Sequence, residues 1–142
     1  MTKESMTKKP FAERTSIEQV EEGVELAPKF DARGLVPCVT TDATTGDVLM
    51  MGYMNDEALL QTIATGEAHY WSRSRQCIWH KGATSGDVLD LVEVAVNCEQ
   101  NSLIYKVRKA GTGVCHTKDE AGQTRQTCYY RAVEDAETLR FT

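Results

Sequence analysis

The stretch "VLDLVEVAVNCEQNSLIYKVR" constrains the fold most, because two apolar, β-branched runs stand on either side of a short polar link. Runs of this kind read as strands, and "VLDLVEVAV" is the clearest one in the chain. "LVPCVTTDATTGDVLMMGYM" repeats the theme. Thr, Gly and Asp gather between Asp42 and Asp47, so two strands joined by a turn form a hairpin. Asn55 then caps "DEALLQTIATG", where Ala58, Leu59, Thr62 and Ile63 recur at helical spacing, early acids suit the helix N-terminus and Gly66 ends the run. "AHYWSRSRQCIWHKG" has aromatic and β-branched residues at strand positions, and "ATSGD" punctuates it. The expectation is an α+β fold, rich in β structure with antiparallel or mixed sheets and one or two short helices. Residues 1–30 read as a charged N-terminal tail with a short helix, Ser16 as its cap and Gln19 at the capping-box position. Residues 31–142 read as a single domain.

A chain of 142 residues suffices for one core of its own, or one shared with a second copy. The net charge of -5, with cations interspersed among acids, supplies no basic stripe for phosphate backbones and argues against a nucleic-acid partner. No apolar h-region follows the first lysines, and no segment approaches the roughly 18 apolar residues of a membrane span. A cytoplasmic protein without a membrane partner is expected. The odd count of five cysteines argues against a disulfide framework and for free thiols or thiolate ligands. Cys38, inside "LVPCV", reads as a small buried hydrophobe.

Cys98, Cys115 and Cys128 are widely spaced, unlike the close pairs of a zinc ribbon, so spacing alone is a weak metal signal. Context is stronger. Cys115 stands in "GTGVCHT", and Cys128 in "RQTCYYR". Three thiolates would leave a tetrahedral zinc one open position, which a catalytic zinc uses to lower the pKa of bound water to around 7. His116 could then act as proton shuttle. Inert buried cysteines are the other reading of the same residues. If the strand continued past Val96, its period of two would put Asn97, Glu99 and Asn101 on one side and Cys98 on the other. Three oxygen-bearing side chains could hold a hard cation such as Mg²⁺, though Glu99 alone is anionic; a polar turn explains them as well. Arg73, Arg75 and Lys81, with Trp71, Trp79, Ser72, Ser74, Thr84 and Ser85, suit a phosphorylated heterocyclic ligand. Arg forks match phosphate oxygens and indole faces stack on a base. Core tryptophans and a solvated basic face would produce the same composition. His69 and His80 read as packing or surface residues.

In order along the chain, "GLVPCVTTDATTGDVLMMGYMNDEAL", "TGEAHYWSRSRQCIWHKGATSGD", "VEVAVNCEQNSLIYKVR", "GVCHT" and "CYYR" resemble the phosphoribosyl-AMP cyclohydrolase family over about residues 34–131. These enzymes of histidine biosynthesis hydrolyse the N1–C6 bond of the adenine ring in 1-(5-phosphoribosyl)-AMP. The resemblance implies an intertwined homodimer with Zn²⁺ shared across the interface, Cys98 coming from one chain and Cys115 and Cys128 from its partner. His116 matches the histidine of the family's Cys-His-Thr motif. Attack of zinc-activated water on C6 would fit the related chemistry of adenine deamination. Two departures stand out. Where the family has three aspartates for Mg²⁺, this chain has Asn97, Glu99 and Asn101, so that site is weakened, served by other acids or replaced. The segment "HTKDEAGQTRQT" is also longer than the family's usual link, a change that costs only about 0.6 kcal/mol per doubling of a loop. Two rival readings are a diverged paralogue acting on another purine nucleotide and a non-catalytic zinc-binding dimer.

Overall fold

A computed structural model describes residues 11–142. A short helix, α1 (Ile17–Glu22), is followed by strands β1 (Val36–Asp42) and β2 (Val48–Met54) and by helix α2 (Asp56–Thr65). Then come β3 (His69–Ser72), β4 (Cys77–His80), β5 (Leu89–Val96), β6 (Leu103–Lys109) and a terminal pair, β7 (Arg131–Val133) and β8 (Leu139–Phe141). The fold is therefore α+β, as expected. The main sheet has the order β2-β1-β6-β5, while β3-β4 and β7-β8 are separate two-stranded hairpins. β1 pairs antiparallel with β2 but parallel with β6, so the sheet is mixed.

Local chemistry explains most of the element ends. Ser16 Oγ accepts from the Gln19 backbone N–H at 3.0 Å, and Gln19 Oε1 accepts from the Thr15 N–H at 3.0 Å. The return arm of the capping box thus lands one residue upstream of the cap itself. Asn55 Oδ1 accepts from the Ala58 N–H at 2.8 Å, and α2 closes at Gly66. Ala58, Leu59 and Thr62 face the core, while Ile63 lies at the edge of the helical stripe and is 48% exposed. Leu59, almost fully buried, contributes roughly 1.5–3 kcal/mol of hydrophobic stabilisation.

Strand periodicity divides the main sheet into two unlike faces. Val36, Cys38 and Thr40 of β1 and Leu103, Tyr105 and Val107 of β6 point into the core beneath α2 and β3. Gly52 leaves room there for Tyr70, whose ring carbon would lie 2.9 Å from a Cβ at that position. The buried phenols are satisfied: Tyr70 and Thr40 hydroxyls are 2.6 Å apart, and Tyr105 donates to Thr62 Oγ1 at 3.0 Å. Cys38 is fully buried, and burial pushes its thiol up to about 12, so it is the inert core residue expected. On the opposite face, register aligns Met51, Val39, Ile104 and Ala95 across all four strands. Met51 is 40% and Ile104 37% exposed, so among the described residues this apolar row has no full cover.

Of the N-terminal tail expected over residues 1–30, residues 1–10 lie outside the described residues, and residues 11–30 are packed on the domain. Phe11 and Phe30 lie 6.1 Å apart and both pack against the core cluster. The segment is also tied to the link between β5 and β6 by Gln100, described below.

Candidate metal and substrate site

Cys115 and Cys128 come together at the start of β2. The segment carrying Cys128 is hydrogen-bonded to that strand, with Cys128 N–H donating to Leu49 C=O at 2.7 Å and Thr127 Oγ1 to Val48 C=O at 2.8 Å. The Cys115 segment reaches it by pairing, since the N–H groups of Val114 and Cys115 both donate to Arg125 C=O at 3.0 Å. Gly113 makes that approach possible: a Cβ there would lie 2.6 Å from Thr124 Cγ2 and 2.8 Å from the Thr124 carbonyl oxygen. The link between the two cysteines forms a compact turn, with Lys118 bridging to Thr124. It leaves the two thiols in mutual contact.

The two sulfurs differ electrostatically. Burial pushes the Cys115 thiol up, but hydrogen bonds from the Thr117 hydroxyl and N–H, and then from Cys128, outweigh it, and the thiol lies below its usual range. Thr117 Oγ1 is 3.0 Å from the sulfur and Thr117 N 3.5 Å. Burial, and then the neighbouring Cys115, push the Cys128 thiol up to about 11. A cation between them would relieve that repulsion, so two thiols with donors already aimed at one sulfur fit a zinc ion. His116 is exposed beside Cys115. Lys81 lies within electrostatic reach of both sulfurs; burial lowers its pKa, opposed by Asp87, and its Nζ donates to the Asp87 C=O at 3.3 Å. The loop that follows turns at Gly82, whose φ of 83° and backbone contact with Asp87 leave no space for a side chain.

The expected substrate residues line the β3-β4 hairpin and the loop after it. Trp71 and Ser72 end β3 half-buried, Arg73 and Arg75 are exposed in the turn, and Trp79 on β4 is 37% exposed beside Tyr70. The Arg73 guanidinium stacks on Tyr53 at 4.1 Å. Thr84 and Ser85 are exposed and Lys81 is buried, so Lys81 faces the thiol pair more than it faces solvent. His69 and His80 stack at 4.4 Å and both bond to Glu67, one through its carbonyl and one through its carboxylate, as packing residues do.

Cys98 is placed apart from this pair. β5 stops at Val96, and Asn97 to Ser102 form a turn in which Gln100 takes a φ of 54°. The side chains of Asn97, Glu99 and Asn101 therefore do not alternate across a continuing strand; the turn folds them onto one another. Asn97 Oδ1 accepts from the N–H groups of Asn101 and Ser102 at 2.9 and 3.1 Å. Its amide nitrogen donates to Asn101 Oδ1 at 2.6 Å, and Asn101 Nδ2 donates to Glu99 Oε1 at 2.9 Å. Those oxygens already serve N–H groups, which fits a Mg²⁺ ligand set poorly. Among the described residues, no three His, Cys, Asp or Glu side chains gather to hold an ion within one chain. Sequence reasoning passed over Gln100 and Arg125. Arg125 lies 4.0 Å over Tyr130 and 5.5 Å from the Phe141 ring, and no short motif marks either residue.

Comparison with known proteins identifies the family. The family model for phosphoribosyl-AMP cyclohydrolase matches residues 50–130, from β2 to the segment after Cys128. A phosphoribosyl-AMP cyclohydrolase of Rhodopseudomonas palustris (strain BisB18) is 51% identical over 129 residues, covering 90% of this chain and 84% of that protein. One from Bradyrhizobium diazoefficiens is 51% identical over 116 residues, covering 82% and 78%. Another, from Nitrobacter hamburgensis, is 49% identical over 118 residues, covering 83% and 76%. The family match and the extent of these similarities show that the chain belongs to the phosphoribosyl-AMP cyclohydrolase family.

Proposed function

We propose that this chain hydrolyses the N1–C6 bond of 1-(5-phosphoribosyl)-AMP in histidine biosynthesis, as a zinc-dependent homodimer. The observation that carries the reading is the Cys115–Cys128 pair with Thr117 donating to one sulfur, in a chain whose relatives are cyclohydrolases. Cys115 and Cys128 would hold the zinc, with Cys98 as third ligand. Bound there, zinc supplies the Lewis acidity that makes water a nucleophile near neutral pH.

The chain's own groups do the rest. Trp71 and Trp79 lie on opposite faces of the β3-β4 hairpin, so one of the two stacks on the base, while Arg73 and Arg75 receive phosphate oxygens as forked donors and Ser72, Thr84 and Ser85 add hydroxyls. His116 takes a proton from the attacking water and returns one to N1 as the N1–C6 bond breaks. The water oxygen stays on C6, and its second proton passes to the exocyclic nitrogen, leaving a carboxamide. One water is added and nothing leaves, because the broken bond lies within the ring.

Two observations support a second copy as the partner. The row Met51, Val39, Ile104 and Ala95 lies on a face that the described residues do not fully cover, and Cys98 is separated from the other two cysteines. Beside Cys98 a cleft of about 370 Å³ runs between residues 20–26 and β5, a seat for the partner's Cys115 and Cys128 segment. Five unpaired thiols suit the reducing cytoplasm, and among the described residues no helix is long and apolar enough to cross a membrane.

Purified protein loaded with zinc should convert phosphoribosyl-AMP to the ring-opened imidazole carboxamide, with no ammonia released. Ammonia release would favour a deaminating paralogue. Absence of turnover, with bound zinc confirmed, would favour a zinc-binding dimer without catalysis.

A further inference from the structure

In the turn that carries Cys98, the amide oxygens of Asn97 and Asn101 and one carboxylate oxygen of Glu99 already accept hydrogen bonds from the turn itself. The orientation of the Asn97 amide is fixed, because its oxygen accepts from two backbone N–H groups, those of Asn101 and Ser102. Its nitrogen must therefore face Asn101 Oδ1, and that in turn directs Asn101 Nδ2 to the Glu99 carboxylate. Carboxylates at positions 97 and 101 would repel each other and Glu99 unless a cation lay among them; amides bridge the same oxygens with their own N–H groups.

Gln100 anchors the turn from inside. It is 4% exposed and sits in the left-handed conformation; its backbone N–H donates to the Asn97 C=O at 2.9 Å within the turn, while its side chain bonds to residues 20–27. Its Oε1 accepts from Ala27 N–H at 2.8 Å, its Nε2 donates to Val20 C=O at 3.0 Å and Glu25 C=O at 3.2 Å, and its own C=O accepts from Lys29 N–H at 2.7 Å. Arg14 adds a strap, donating to the carbonyl oxygens of Ala27 and Glu99 at 2.7 and 3.1 Å. Cys98 thus stands on a turn clamped from both sides.

We propose that Gln100 is a positioning residue which, with the Asn97 and Asn101 amides, holds Cys98 in place for zinc without a divalent cation in the turn. The zinc part rests on the proposed function; the cation-independence of the turn does not.

Three variants test it. Gln100→Gly permits the left-handed backbone without strain and removes the anchor. In the metal-free protein, exchange of the Asn101 and Ser102 amides should then accelerate roughly tenfold or more. In the cobalt-substituted protein, the sulfur-to-metal charge-transfer band should weaken towards that of Cys98→Ser, with zinc affinity falling about tenfold or more. Calorimetric Mg²⁺ titration of the zinc-loaded protein should show no saturable binding in the wild type but should show it in the Asn97→Asp, Asn101→Asp double variant. Unchanged exchange and an unchanged cobalt band in Gln100→Gly would overturn the anchor. Mg²⁺ binding by the wild type as tight as by the double variant, or slowed exchange of residues 97–102 on adding Mg²⁺, would overturn cation-independence. Failure of the wild type to bind zinc or cobalt at all would count against the proposed function, while exchange and the same Mg²⁺ titration of the metal-free protein would still decide the turn.

Discussion

Thr117 holds the Cys115 sulfur from two directions, its hydroxyl at 3.0 Å and its backbone N–H at 3.5 Å. Only the first contact depends on the side chain. Thr117→Val, close in volume but without the hydroxyl, should lower zinc affinity about tenfold, in line with the loss of other groups that orient metal ligands. A competition titration with a chromogenic chelator reads this directly. An affinity equal to wild type would show that the hydroxyl does not support the metal ligand.

Gly113 lets the Cys115 segment lie against Thr124. A methyl group at Gly113→Ala would sit at 2.6 Å from Thr124 Cγ2, so the segments must part. Overpacking of this kind costs about 1–3 kcal/mol, and here it should also reduce bound zinc per chain, because it separates Cys115 from Cys128. Urea denaturation and metal analysis on the same preparation check both effects. Full zinc content with unchanged stability would contradict the close approach.

Asp42 shapes the β1-β2 turn. Hydrogen bonds from the N–H groups of Thr44 and Thr45, opposed in part by burial and assisted by Lys109, hold its carboxyl below its ordinary value of 3.8. A depressed carboxylate stabilises the fold above its unfolded pKa, and that stability is lost as pH falls through the folded value. Asp42→Asn keeps the acceptor oxygen but does not titrate. Wild type should therefore lose more stability than Asp42→Asn between pH 7 and about pH 3, measured by urea midpoints. Parallel curves would remove Asp42 from the acid response.

Tyr105 crosses the core to donate to Thr62 Oγ1, which also serves the His69 N–H. Tyr105→Phe leaves that buried hydroxyl one partner short. A loss of about 1–2 kcal/mol is expected from the denaturation midpoint, against almost nothing if the phenol merely fills space.

What the sequence made legible was local. Ser16 and Asn55 cap their helices through atoms three residues away, and the run from Val48 to Met54 pairs back across its own turn. The parallel pairing of β1 with β6 depends on residues far apart in the chain, and nothing near Cys38 announces Leu103 as its neighbour. The β7-β8 hairpin escaped notice because Val133, Leu139 and Phe141 are all exposed and show no buried stripe. Around the site, the cysteine contexts were readable as a series, whereas the alternation expected of Asn97, Glu99 and Asn101 required a strand that ends at Val96. The left-handed Gln100 breaks it, and the reason for that residue lies in the carbonyls of Val20 and Glu25, which no periodicity reveals.

The central claim is a zinc site for ring opening assembled from two chains, and complementation between two inactive variants tests it most directly. Cys98→Ser and Cys115→Ser should each be inactive on phosphoribosyl-AMP. Co-expressed in equal amounts, they should form mixed dimers in which one site would have Cys98 from one copy and Cys115 and Cys128 from the other. Half of the dimers would be mixed, and each would carry one intact site of two, so turnover should return to about a quarter of the wild-type value. No recovery in isolated mixed dimers, with the wild type active, would contradict the shared site.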